Sequence, residues 1–359
     1  MKKILPILLA CVLTLVPAFC LAGCTNGPLV PNLYVYDFAD QYKTASEGLS
    51  EIEWSDVKSL HIDWSAGEVL LGEAADDALC VDVSETSTTP LSDEQLLRWR
   101  LHDGILDIRF TASGFSLAAP TLHKTLTVRI PAAAALKEMV IDTTSAAVKA
   151  DAARADQIRV DTASGGVKLD GVRADSLDVD TASGGVEVNS VSINTLNVGT
   201  ASGSVTVSGD TIGRLDVDTA SGSVTVSGGQ IGAIDAESSS GDVTVSGDSI
   251  AKLDVDSSSG KVDVRCKKTG TPDIETASGS VTVRIDEDYD GLKIDTASGK
   301  VTLTLPAELG CELDVDTASG DFESGIPFTI RGDTYVIGDG QRKIDVSTAS
   351  GDIRVLAAE

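Results

Sequence analysis

The chain has 359 residues, 42% of them hydrophobic and only 4% aromatic, with a formal net charge of −27. So acidic a balance excludes a nucleic-acid binder, which needs Lys and Arg to displace counterions. Plentiful Val, Ile, Leu and Ala exclude a disordered acidic chain. Three His and no cluster of paired Cys leave little for a nitrogen- or sulfur-liganded metal, and no cofactor is expected.

Met1-Lys2-Lys3 precedes an apolar run from Ile4 to Leu21, then Leu21-Ala22-Gly23-Cys24. A basic head and an apolar stretch ending in small residues predict a secretory leader over 1–23. A retained membrane helix is the alternative, since about 18 apolar residues can just span a bilayer. Leu-Ala-Gly-Cys resembles the bacterial lipobox, which implies that Cys24 carries lipid and becomes the mature N-terminus. The expected location is then the outer face of the cell membrane or the outer membrane. Loss of Lys2 and Lys3 leaves 26 basic against 55 acidic residues, a formal charge of −29. Anionic headgroups repel such a body, and residues 24–50, with Pro28 and Pro31, read as its tether. Cys80, Cys266 and Cys311 remain, an odd number with no framework spacing.

Residues 51–135 read as an irregular β cap. They hold one early unit from Leu60 to Val69, strands around Cys80–Val83, Gly104–Phe110 and Thr125–Ile130, and every Trp and His of the chain. Trp54, Trp64 and Trp99, with the His, are expected to fill a thicker core. From 136 to 359 the chain is a repeat. Thr-Ala-Ser-Gly or Ser-Ser-Ser-Gly recurs with its glycine at Gly165, Gly184, Gly203, Gly222, Gly241, Gly260, Gly279, Gly299, Gly320 and Gly351. Six steps are 19 residues long, followed by 20, 21 and 31, and Thr143-Thr144-Ser145-Ala146 is a degenerate earlier copy. In one unit Leu215 and Val217 alternate with Asp216 and Asp218, and Val224 and Val226 with Ser223, Thr225 and Ser227, the pattern of half-buried strands. The intervening Ser-Gly pairs mark corners.

Identical residues returning at one offset favour stacked coils over an antiparallel meander. The predicted fold is all-β: a single-chain β-solenoid, or parallel β-helix, of about eleven 19-residue coils. The right-handed preference of parallel crossovers favours a right-handed coil. Residues 321–343 fill the long last step as an insertion that could fold over the terminal coils.

The unit Leu-Asp-Val-Asp-Thr-Ala-Ser-Gly, the lead-in segments from His102 to Ile108 and Leu126 to Pro131, and the closing coil from Lys343 to Ile353 resemble a bacterial family of β-strand-repeat surface proteins known as putative adhesins, a family of unknown function. The resemblance covers roughly residues 50–359. It implies a β-helical, often envelope-associated protein and carries no catalytic residues.

The strongest surface signal is acidic. Four and six residues before each repeat glycine, 15 of 20 positions are Asp or Glu, among them Asp216, Asp218, Asp235, Asp254 and Asp256. Carboxylates about 4.8 Å apart in water repel by roughly 0.9 kcal/mol. A divalent cation would relieve that repulsion, although a solvated face that keeps the stack soluble is the simpler expectation. A second column pairs Ser164, Ser183, Ser202, Ser221 and Ser240 with Gly165, Gly184, Gly203, Gly222 and Gly241. With no His in the repeats to serve as base, these serines read as a hydroxyl ladder at the corners.

Polysaccharide-cleaving β-helices are the enzyme alternative, but Asp142 to Gly320 holds a single aromatic, Tyr289, for stacking on sugar. The expected role is therefore non-enzymatic: adhesion or contact with a protein or envelope polymer. A sensor ectodomain that binds a membrane protein or cationic peptide is the second reading. Arg331-Gly332-Asp333 spells a tripeptide that integrins read, on a chain with no other sign of a host.

Overall fold

The computed structural model describes residues 33–75, 78–116 and 122–358, and the leader and Cys24 lie outside them. The chain forms two compact units, Met1–Ala174 with Val179–Gly184, and Asp175–Asp178 with Gly185–Glu359. Both are β-solenoid in character, with strands stacked mainly in parallel and no α-helix among the described residues.

In the first unit, strand Glu138–Thr143 pairs in parallel with Ser59–Trp64 on one side and Gln157–Thr162 on the other. Ala147–Asp151 likewise lies between Gly67–Glu73 and the strand beginning at Val167. Ser59–Trp64 and Gly67–Glu73 in turn pair with Ile105–Arg109 and Lys124–Ile130. The earliest rung in sequence is therefore the second in the stack. In-register stacking makes apolar columns such as Leu106, Leu60, Met139 and Ile158, all buried. The last rung, Ile105–Arg109 with Lys124–Ile130, is closed on both halves by antiparallel strands, Arg98–His102 and Asp82–Ser87.

Two expectations are corrected here. Region 51–135 is not an irregular cap, because it contributes two rungs of the stack as well as the strands that close it. The tether reading fails from Leu33 onward. Tyr34, Tyr36 and Leu49 are buried there, Leu33–Tyr34 pairs with Phe115–Ser116, and the Tyr34 hydroxyl donates to the Asp63 carbonyl. The apolar ring area of these tyrosines outweighs the polar composition that suggested a spacer.

In the second unit the strands Val186–Thr200, Val205–Thr219, Val224–Ser238 and Val243–Ser257 repeat at an offset of 19 residues, Leu196 against Leu215, Ile234 and Leu253. The order of rungs departs from the order of the chain once more. Arg342–Thr348 lies between Gly291–Thr296 and Cys311–Thr317, and Ile353–Ala358 between Val301–Pro306 and Phe322–Ser324. The chain runs out to the final rung, turns through Thr329–Arg331 and Thr334–Ile337, and returns to fill the gap it left. Only part of 321–343 acts as the expected flap: Thr334–Ile337 pairs antiparallel with Cys311–Asp314. Phe322–Ser324 is itself rung, and Arg342 already begins the inserted strand.

Candidate functional site

The corners come first, because they fix where every outward side chain points. The Thr or Ser three before each repeat glycine accepts that glycine's N–H and is buried at every corner but that of Thr317, as in Gly165 to Thr162 (2.9 Å), Gly184 to Thr181 (2.8 Å), Gly203 to Thr200 (2.8 Å), Gly222 to Thr219 (2.9 Å) and Gly241 to Ser238 (2.9 Å). The serine before the glycine is exposed and donates to a carbonyl one rung back. Ser164 reaches Thr144, Ser183 Ala163, Ser221 Ala201 and Ser240 Ala220, at 3.1–3.4 Å, and Ser202 is exposed at the same corner. The glycine is a steric requirement: a Cβ on Gly222 or Gly241 would lie 1.8 Å from the carbonyl oxygen of the rung before. These serines and glycines build the corner and bind their own backbone.

The acidic positions are brought together as two adjacent columns on one sheet face. Asp216, Asp235, Asp254 and Asp273 stand in direct register, as do Asp218, Glu237, Asp256 and Glu275. Buried partners such as Leu215 and Val217 alternate with them and aim the carboxylates outward. Burial between rungs, followed by the neighbouring carboxylates, holds Glu237 and Asp256 above the ordinary carboxyl range. A few cations offset the repulsion. Arg214 bridges Asp216 (3.0 Å) and Asp235 (3.4 Å), and Lys252 lies 3.5 Å from Asp254. Lys293 reaches Asp273, Glu275 and Asp295 at 2.9–3.1 Å, which raises its ammonium above the ordinary range. Among the described residues no group of three or more His, Cys, Asp or Glu is arranged to hold a metal ion. The columns present charge at regular spacing and assemble no coordination cage.

The first unit carries a shorter column, Asp63, Asp142 and Asp161, in register with Arg109. Burial, then Asp161 and Asp63, push the Asp142 carboxyl up to about 6. Arg109 pairs with Asp63 (2.8 Å) and Asp107 (2.9 Å) under the tyrosines of segment 34–42.

All three Trp are buried as expected, but His61 and His102 are half-buried and His123 is exposed, so the His do not fill the core. The most deeply buried charge is Lys124, enclosed between Trp64 and Phe110, with Asp107 and Asp263 also buried. Strand parity signals it, since Lys124 shares a face with Leu126, Val128 and Ile130. Cys80 is exposed, Cys266 and Cys311 are buried, and none is in a disulfide. No described helix is long and apolar enough to cross a membrane.

Stacked in-register rungs, hydroxyl-glycine corners and apolar columns along the interior define a β-solenoid repeat protein. The chain belongs to the Toastrack DUF4097 family, whose profile matches residues 97–232 and again 211–356. A solved structure described as a putative cell adhesion protein from Clostridium sporogenes aligns over 88% of this chain and 97% of its own, at 10% identity and a TM-score of 0.18. No curated protein matches the chain.

Proposed function

We propose that this protein is a lipid-anchored repeat protein of the cell envelope that works by extended contact, adhering to a surface or to an envelope polymer, and that it catalyses no reaction. The observation that carries the reading is the pair of carboxylate columns. Four rungs in a row repeat the same two charges in register, a geometry suited to many weak contacts with a repeating or extended partner and ill suited to one reaction centre. Export and lipid attachment rest on the leader and on Cys24.

The test is binding of the labelled protein to producer cells, other cells and purified cell wall from low to high salt, beside a variant with Asp216, Asp218, Asp235 and Asp254 changed to Asn. Saturable binding to one surface, weakened in the variant, supports the proposal. Absence of binding to every surface overturns it, and release of reducing sugar from wall polysaccharide would restore the enzyme reading. The same columns suit a cationic partner, as a sensor ectodomain would need. Binding that salt abolishes without selectivity among surfaces would favour that second reading.

A further inference from the structure

The two units end differently. In the first, both halves of the last rung are covered by antiparallel strands, and the inward residues Leu106, Ile108, Leu126 and Val128 have no exposure. In the second, Thr334–Ile337 covers only Cys311–Asp314. The other half of that rung, from Val315 to Ser324, pairs with the rung behind it and, among the described residues, with nothing in front. Val315, Thr317 and Phe322 are half-exposed there, whereas their neighbours one rung in, Val346, Thr348 and Ile353, are at most 5% exposed.

The uncovered edge has the equipment to take a strand. Gly325 donates to the Val355 carbonyl and Ile353 to that of Asp321. By strand alternation the N–H and C=O of Phe322 and Ser324 then face the open side. Beside them the rings of Phe322, Phe328 and Tyr335 cluster at 4.4–6.0 Å, with Phe328 39% and Ile330 68% exposed. Asp316 and Asp321 rim the edge, exposed and in none of the ion pairs of the described residues.

We propose that this edge is a docking site for an extended segment of another protein that alternates basic and apolar residues. The closing strand of the first unit shows the matching chemistry: in Arg98-Trp99-Arg100-Leu101-His102, Trp99 is buried against the rung while Arg100 lies 3.7 Å from the rung's Asp107. A second copy of the chain is disfavoured as occupant, since two-fold pairing of this edge would set Asp316, Asp321 and Glu323 against the same acidic residues. The site adds a strand to an open sheet edge, with main-chain bonds giving affinity and alternate side chains giving selectivity. It stands whether or not the acidic columns bind a surface.

The probe is a labelled peptide of residues 95–103, titrated into the purified full chain, with fluorescence anisotropy and amide hydrogen exchange as readouts. Saturable binding with new protection confined to Val315–Ser324 is expected. The double variant Asp316→Lys and Asp321→Lys should weaken it about tenfold or more, while Asp216→Lys with Asp235→Lys, within the columns, should change it less than about threefold. Melting curves establish that both variants fold. A peptide carrying Arg98→Glu and Arg100→Glu should not bind. Four outcomes would overturn the proposal: no binding, equal weakening by both variants, protection spread along the columns, or protection of the edge in the unliganded chain that rises with protein concentration.

Discussion

The ammonium of Lys124 lies 2.7 Å from the Glu85 carboxylate in the interior of the first unit, with no exposure of the lysine side chain. It also donates to the Gln95 and Phe110 carbonyls, and Glu85 accepts the Leu97 N–H at 2.8 Å. All three ammonium protons are therefore satisfied. Lys124→Met strands a buried carboxylate and two carbonyls, and should cost about 3–5 kcal/mol in chemical denaturation. Lys124→Met combined with Glu85→Leu should cost less than the sum of the two single changes. Additive costs would show that the pair does not act as a unit.

Burial lowers the Lys124 pKa to about 8, against the raising effect of Glu85. Above pH 8 the folded lysine gives up a proton that the unfolded one keeps to about 10.4. The unfolded state then binds more protons, so this group makes stability rise with pH across that window. The difference in melting temperature between the wild type and Lys124→Met should therefore change between pH 7.5 and 9.5 in favour of the wild type. A constant difference would place the ammonium in solvent.

The acidic column of the first unit has the opposite sign. Asp142 titrates near 6 when folded, above the usual carboxyl value of about 3.9; Asp63 in the same column is raised as well, as are Glu237 and Asp256 in the columns of the second unit. A folded acid with a raised pKa holds its proton more tightly than the unfolded chain does. Its contribution is complete below about pH 4 and is lost as pH rises through 6. Melting temperature should increase on acidification from pH 7 to 5. Asp142→Asn should flatten that slope and raise the pH 7 value. A variant as pH-sensitive as the parent would exclude Asp142 as a source.

The corners and the columns were legible because each repeats at a fixed offset: ten glycines locate the corners, and parity does the rest. Rung order was not, because sequence periodicity gives the register of a coil and says nothing about which coil is its neighbour. Leu60 looks like the first coil of a series and stacks second, between Leu106 and Met139. The folded segment from Leu33 was hidden because three tyrosines among polar residues carry no strand period, and the Tyr34 hydroxyl finds its partners at Asp63 and Phe110, far along the chain. Ala146 shows the limit of the motif itself. It takes the glycine position of the degenerate copy, where the neighbouring corner passes through Gly67 at φ +102° and follows a different backbone path. By contrast Gly222→Ala would push a methyl to within 1.8 Å of the Gly203 carbonyl oxygen. It should cost about 3 kcal/mol or more, read as a lowered melting temperature.

The return of the chain at the end of the second unit makes the last prediction. Cys311–Thr317 and Phe322–Ser324 stack in parallel only on strands contributed by residues 342–358. Without those strands, the final rung would have to cross an empty rung spacing of about 4.8 Å to meet Gly291–Thr296 and Val301–Pro306. Deleting 342–359 should therefore release residues 307–341 as well, including the Thr329–Ile337 hairpin. The coils from Val205 to Ser257 pair only with their own neighbours and should stay folded, since each repeat leans on the next. Hydrogen exchange of the truncated chain should show full exchange across 307–341 and unchanged protection over 205–257. Retained protection at Cys311–Asp314 would mean that the final rung can close the gap by itself, and that the inserted strands are dispensable to it.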